Sequence, residues 1–211
     1  TLVQTSLYWE DIQANLLSLD EKLKTIQPGS TDLIILPEMF PTGFSMNAAE
    51  LYHEMDGQVV YWMKQIATSK NAVVTGSLII KEGNHYFNRL VWMKPDGTHD
   101  TYDKRHLFRM ANEQLTYFPG DKKIVVELKG WKICPLICYD LRFPVWSRNL
   151  NNEYDCLIYI ANWPEKRNYA WKQLLIARAI ENQSFVVGLN RVGKDGKDLD
   201  YSGDSVVINS K

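Results

Sequence analysis

Short, wholly apolar runs alternate along this chain with stretches of helical spacing, and nothing else in the sequence restricts the fold as much. Leu33-Ile34-Ile35-Leu36 presents no polar face, so as a strand it must be covered on both sides, and Phe185-Val186-Val187-Gly188-Leu189 reads as a further strand. Ile12, Leu16, Leu19, Leu23 and Ile26 recur at steps of four, three, four and three, which marks one helical face over about 11–27. Pro28-Gly29 stops that helix. Trp62, Met63, Ile66 and Ala67 predict a helix near 57–70, and Trp171, Leu174, Leu175, Arg178 and Ala179 predict one over about 166–182. Further strands are expected near 72–80, 86–94, 123–128, 131–138, 156–161 and 204–209. Glu82-Gly83-Asn84 forms a hairpin and Pro95-Asp96-Gly97 a turn. Helices between buried strands argue for a layered α/β fold, and the hairpins make its sheets mixed. No repeat, linker or charge block interrupts residues 1–211, which read as one domain.

Composition narrows the function classes. Of 211 residues, 45% are apolar and 23% charged, which is globular rather than disordered. The 24 basic and 25 acidic side chains leave a net charge of −1, without the basic excess of a nucleic-acid binder. No apolar run reaches the roughly 18 residues of a membrane span. The start, Thr1-Leu2-Val3-Gln4, has neither an initiator Met nor a charged-then-apolar signal segment. A cytoplasmic location is therefore expected, with no membrane partner. Cys134, Cys138 and Cys156 cannot all pair. On one strand, Cys134 and Cys138 would share a face with backbones about 13 Å apart, too far for a disulfide. His53, His85, His99 and His106 show no paired ligand spacing, so no zinc site is expected. The cysteines read as free thiols, one of them a candidate for reactivity.

Chemistry-bearing residues cluster where strands give way to loops, the usual place for an α/β site. Glu38 follows Leu33–Pro37, Lys104 follows Thr101-Tyr102-Asp103, Cys138 ends the run 131–137, and Asn162-Trp163-Pro164 follows 156–161. Singly, each is more often a solvated acid, a surface cation or a small core residue. Together an acid, a cation and a thiol make coherent chemistry. A neighbouring cation lowers a thiol's pKa and stabilises an oxyanion, while a carboxylate serves as general base and acid.

Three blocks carry a resemblance: Leu36-Pro37-Glu38-Met39-Phe40-Pro41-Thr42-Gly43-Phe44, Asp103-Lys104-Arg105-His106-Leu107-Phe108 and Ile137-Cys138-Tyr139-Asp140-Leu141-Arg142-Phe143-Pro144. In this order and at these separations they resemble the nitrilase superfamily of carbon–nitrogen hydrolases over essentially the whole chain. The resemblance implies a four-layer αββα sandwich. It also implies Glu38 as general base and acid, Lys104 as electrostatic catalyst and Cys138 as nucleophile, with Glu113 as a second glutamate positioning the lysine. The Tyr139 N–H would complete the oxyanion site, and Phe44 and Trp163 would form apolar walls. A homodimer is implied, with the helices beginning near Arg142 and Lys166 against the partner. Family members usually continue for several dozen residues past the last strand, so a C-terminal strand and tail are expected to be lacking here.

Cys-Tyr-Asp-Leu-Arg-Phe-Pro and Ala161-Asn162-Trp163-Pro164 are similar to the ω-amidase branch. That branch implies hydrolysis of the side-chain amide of 2-oxoglutaramate or 2-oxosuccinamate, without metal or organic cofactor. Such a small-molecule substrate carries a distal carboxylate, for which Arg109, Arg142, Arg167 and Arg191 are candidate partners. Two rivals stand beside this reading: a hydrolase of another carbon–nitrogen bond (N-carbamoyl, nitrile or monocarboxylic amide), and a non-catalytic binding module. A nucleotide-binding domain fails, because no Gly-rich phosphate loop follows any strand.

Overall fold

The computed structural model describes residues 1–211, and its first helix shows how local sequence sets the layers. Helix α1 (Ile12–Leu23) is capped by Asp11, whose carboxylate accepts the Ala14 N–H at 2.9 Å. It ends four residues before the expected position. Pro28 disfavours helical backbone at Gln27, and the Thr25 hydroxyl donates to the Lys22 carbonyl at 2.8 Å, closing the last turn. Strand β1 (Leu33–Ile35) follows, then a one-turn helix α2 (Ala48–Leu51) and helix α3 (Gln58–Lys70). Strands β2 (Val73–Glu82) and β3 (His85–Met93) form the expected hairpin, and β4 (His99–Asp103) pairs with β3.

The second half contains β5 (Val126–Leu128), β6 (Trp131–Ile137), a one-turn helix α4 (Pro144–Ser147), β7 (Cys156–Ala161) and α5 (Asn168–Asn182). Strands β8 (Phe185–Asn190), β9 (Val192–Lys194), β10 (Asp200–Ser202) and β11 (Val206–Ile208) complete it. One sheet has the order β1-β2-β3-β4, and the other β11-β8-β7-β6-β5. Strands β6, β7 and β8 are parallel, whereas β5 and β11 run antiparallel at the edges. Strands β9 and β10 form a separate hairpin.

Alternation along β3 shows the sandwich. Leu90 and Trp92 face the second sheet, in a core with Leu136, Ile158 and Ile160, while Val91 and Met93 pack with α1 and α3. Trp171, Leu175 and Ala179 of α5 cover the far face of the second sheet. The order of layers is therefore helix, sheet, sheet, helix, the αββα sandwich that the sequence blocks implied. Leu19 and Leu23 are 1% exposed, each contributing about 1.5–3 kcal/mol by leaving water.

Two elements differ from expectation. Strand β4 was not foreseen, because His-Asp-Thr-Tyr-Asp has no apolar alternation. It is an edge strand held by backbone pairing and by Arg89, which grips Asp103 with two bonds of 2.7 and 2.9 Å. The strand expected at 131–138 ends at Ile137. Cys138 lies outside it, at φ +44° in a 3₁₀ turn (Cys138–Arg142), so it does not share a strand face with Cys134. All three cysteines are free and buried. No helix is long and apolar enough to cross a membrane.

Candidate active site

Four loop segments at strand ends bring the predicted residues together. Glu38 lies just past β1, in a turn where the Met39 N–H donates to the Ser77 hydroxyl at 2.8 Å and Met39 adopts φ +43°. Lys104 follows β4, its N–H held by the Asn88 carbonyl at 3.0 Å. Glu113 opens a 3₁₀ turn (Glu113–Leu115) and accepts the Phe108 N–H at 2.5 Å. Cys138 takes a left-handed backbone conformation that non-glycine residues rarely adopt, and such strain gathers at functional sites.

Asp140 secures this turn. It is fully buried and accepts the Ile137 N–H at 3.1 Å, the Tyr102 hydroxyl at 2.7 Å and the His106 N–H at 2.9 Å. His106 also brings its Nδ1 within 2.8 Å of Asp140 and stacks on Phe143 with centroids 3.6 Å apart. His106 is thus committed to Asp140, which joins the loop after Lys104 to the turn carrying Cys138.

The charged centre is dry. Glu38, Lys104 and Glu113 are each 0% exposed. Lys104 Nζ lies 2.8 Å from Glu38 Oε1 and 3.0 Å from both oxygens of Glu113. Asn162 holds Glu38 twice, its backbone N–H on Oε2 at 2.8 Å and its side-chain amide on the Glu38 carbonyl at 2.5 Å. Burial alone would lower the Lys104 pKa, but the charges of Glu113 and Glu38 outweigh it and raise the ammonium above its ordinary range. Burial raises the Glu113 carboxyl against the opposing pull of Lys104.

The thiol departs from the sequence-based expectation. Burial pushes Cys138 well above the ordinary thiol range and the Glu38 charge adds to the effect. The Lys104 ammonium opposes both and does not prevail. A lysine that already neutralises two carboxylates has little charge left to stabilise a thiolate. The resting residue is a thiol, and its proton must leave as the sulfur attacks.

Lys104, Cys138 and Asn162 open onto one cavity. Phe44, Phe108, Tyr139 and Trp163 form its apolar walls, and Lys104 Nζ sits 5.0 Å from the Phe44 ring centroid. The loop between β9 and β10 adds Asp195, Lys197 and Leu199, and β10 adds Tyr201. None of these four was singled out from the sequence, since a Gly-rich, charged turn reads as surface.

The arginines separate by location. Arg142 and Arg167 line the cavity, their guanidiniums 5.2 Å from the Trp163 ring and 5.1 Å from the Phe108 ring. Arg191 is excluded. It is fully buried and donates to the backbone carbonyls of Leu7 at 3.1 Å and Lys194 at 2.9 Å, fastening the N-terminal segment to the β9–β10 hairpin. Arg109 lines a different cavity, beside Arg105 and His106.

Known proteins share this sequence and this fold. The chain is 51% identical over 209 residues to an omega-amidase, YafV, of Escherichia coli (strain K12), covering 99% of this chain and 80% of that protein. It is 36% identical over 181 residues to a 2-oxoglutaramate amidase of Bacillus subtilis (strain 168), covering 84% and 70%. Among solved structures, a CN-hydrolase superfamily protein of Xanthomonas campestris with an arsenic adduct in its active site superposes with a TM-score of 0.96. It is 47% identical, and the match covers 99% of this chain and 81% of that one. The family model for carbon–nitrogen hydrolases matches residues 1–211, and the chain belongs to that family.

Proposed function

We propose that this single-domain chain is an ω-amidase-type amidohydrolase, cleaving the terminal amide of 2-oxoglutaramate- or 2-oxosuccinamate-like acids to the free acid and ammonia. One observation carries the reading: a thiol, an ammonium held from behind by two carboxylates and two arginines without carboxylate partners line one small cavity. The similarity to proteins named omega-amidase and 2-oxoglutaramate amidase supports the substrate class.

In this mechanism Glu38 takes the Cys138 proton as the sulfur attacks the amide carbon. A base is needed here because the buried thiol is not ionised at rest. The Lys104 ammonium and the Tyr139 N–H hold the oxyanion. Glu38 returns its proton to the nitrogen, the C–N bond breaks and ammonia leaves a Cys138 thioester. Glu38 then takes a proton from water, the hydroxyl adds to the thioester carbon, and the acid departs as the thiol is restored. Glu113 contributes by fixing the ammonium through both its oxygens. Arg142 and Arg167 are the cations placed to take the substrate carboxylate. No step requires a metal or organic cofactor.

A homodimer is part of this proposal. The elements implied to face a partner carry exposed apolar side chains, Val145 at 87% and Tyr169 at 80%, and sedimentation of the chain tests it. The cytoplasm, where keto acids and free thiols coexist, is the proposed location. The deciding assay is ammonia release from 2-oxoglutaramate by the chain and by Cys138→Ala, with a simple aliphatic amide as control. Turnover of the keto-acid amide alone, abolished in Cys138→Ala, is expected. Turnover confined to a nitrile, an N-carbamoyl compound or a monocarboxylic amide would replace the substrate assignment. A folded chain silent on all of them would be a binding module.

A further inference from the structure

Three charged groups in the buried centre do not balance: Glu38 and Glu113 face a single ammonium, that of Lys104, and all three are 0% exposed. The second donor shared by the two carboxylates is Asn88, in the middle of β3 and also 0% exposed. Its Nδ2 lies 2.8 Å from Glu38 Oε1 and 3.4 Å from Glu113 Oε1. The orientation of this amide is forced, because both neighbours are acceptors and only an NH₂ can face them. Its Oδ1 has no hydrogen-bond partner, so the carboxamide is spent on its donor end. The Asn88 carbonyl meanwhile takes the Lys104 N–H at 3.0 Å. One residue thus sets the lysine backbone and bridges the two acids.

We propose that Asn88 is a positioning residue that holds Glu38 and Glu113 together around one lysine by giving each carboxylate an amide N–H, so that Glu38 is available as the base for Cys138. Two buried carboxylates sharing too few donors take up a proton. A neutral donor relieves this without adding a second positive charge, which would repel Lys104 and compete with it for the carboxylates. Asn162 donates its backbone N–H to Glu38 Oε2 and its side-chain amide to the Glu38 carbonyl, and reaches Glu113 with neither. Asn88 is therefore the residue that couples the pair.

This inference rests on Glu38 serving as the base for Cys138, so the test uses a readout that needs no amide substrate. The alkylation rate of Cys138 by iodoacetamide is followed against pH, beside kcat/KM for 2-oxoglutaramate, in the full chain and in Asn88→Leu and Asn88→Asp. Leucine keeps the volume and removes the donor. Aspartate keeps the shape and adds a third acceptor.

The acid limb of both profiles is expected to move to higher pH, by about one unit in Asn88→Leu and further in Asn88→Asp, following the usual strength of hydrogen bonds to charged groups. At a pH below the parent's acid limb, kcat should fall about tenfold in Asn88→Leu with KM little changed. A folded variant whose acid limb coincides with the parent's overturns the proposal, as does loss of folding in both variants, which would make Asn88 a stability residue. Alkylation limbs that shift while no amide is turned over would uphold Asn88 and refute only the substrate reading.

Discussion

Replacing Lys104 by methionine removes the one positive charge from the buried centre while nearly preserving volume. Two carboxylates remain, both 0% exposed, with oxygens that each lay within 3.0 Å of the lost nitrogen. They are then about 6 Å apart or closer, and at an effective dielectric of about 20 their repulsion is about 3 kcal/mol, or two pH units. The pair is pushed toward holding a proton, which weakens the base as pH falls, and the oxyanion cation is deleted at every pH. A single oxyanion donor is worth about a hundred- to a thousandfold in rate, so turnover of 2-oxoglutaramate at pH 8 should fall by at least that factor.

Stability follows with a definite sign. The carboxylate pair of the folded variant has pKa values raised above those of the unfolded chain. Protonation therefore favours the folded state at low pH, and that stability is lost as pH rises through the folded values. Thermal unfolding of Lys104→Met at pH 8 and pH 5.5 should show a deficit against the parent that is larger at pH 8. Turnover within tenfold of the parent, or a deficit independent of pH, would refute the reasoning.

Other outcomes follow from the same geometry. Asp140→Ala leaves the Ile137 N–H, the Tyr102 hydroxyl and the His106 N–H without their acceptor. It should cost about 3 kcal/mol or more, read as a lower Tm, and lower kcat because the Cys138 turn and the Lys104 loop lose their common anchor. A Cβ at Gly76 would meet Phe40 at 2.8 Å and Leu36 at 2.9 Å, on either side of Glu38. Gly76→Ala should therefore destabilise by about 1–3 kcal/mol in a denaturant titration and reduce turnover by displacing that turn. Arg142→Ala and Arg167→Ala should raise KM for 2-oxoglutaramate about tenfold or more and leave that for an uncharged amide unchanged; equal effects on both would remove the arginines from carboxylate binding. Burial raises Cys134 and Cys156 to about 12. Mass spectrometry after limited alkylation at pH 7.5 should accordingly find the label on Cys138, where a base assists, and not on the other two.

Much of the molecule was legible in the chain because it depends on local spacing. The helical face of Ile12, Leu16, Leu19 and Leu23, the apolar run at Leu33–Leu36 and the hairpin at Gly83 follow from which residues must avoid water and which backbone angles a turn needs. That Glu38 and Cys138 stand where strands give way to loops was also readable, since short apolar runs end just before each of them or near it. Charge state and partnership were not. Lys104 was expected to acidify the thiol, but its charge is shared with two carboxylates, and only the packed structure sets the distances that decide this. Strand β4 has no apolar pattern and exists because β3 offers it an edge. Asn88 is an unremarkable polar residue until the sandwich places it between two acids, and Arg191 cannot be told from Arg142 before one is enclosed and the other left at the cavity. Electrostatics inside a protein depends on burial and on separations of a few ångströms between residues far apart in the chain, and those separations are set by the tertiary fold alone.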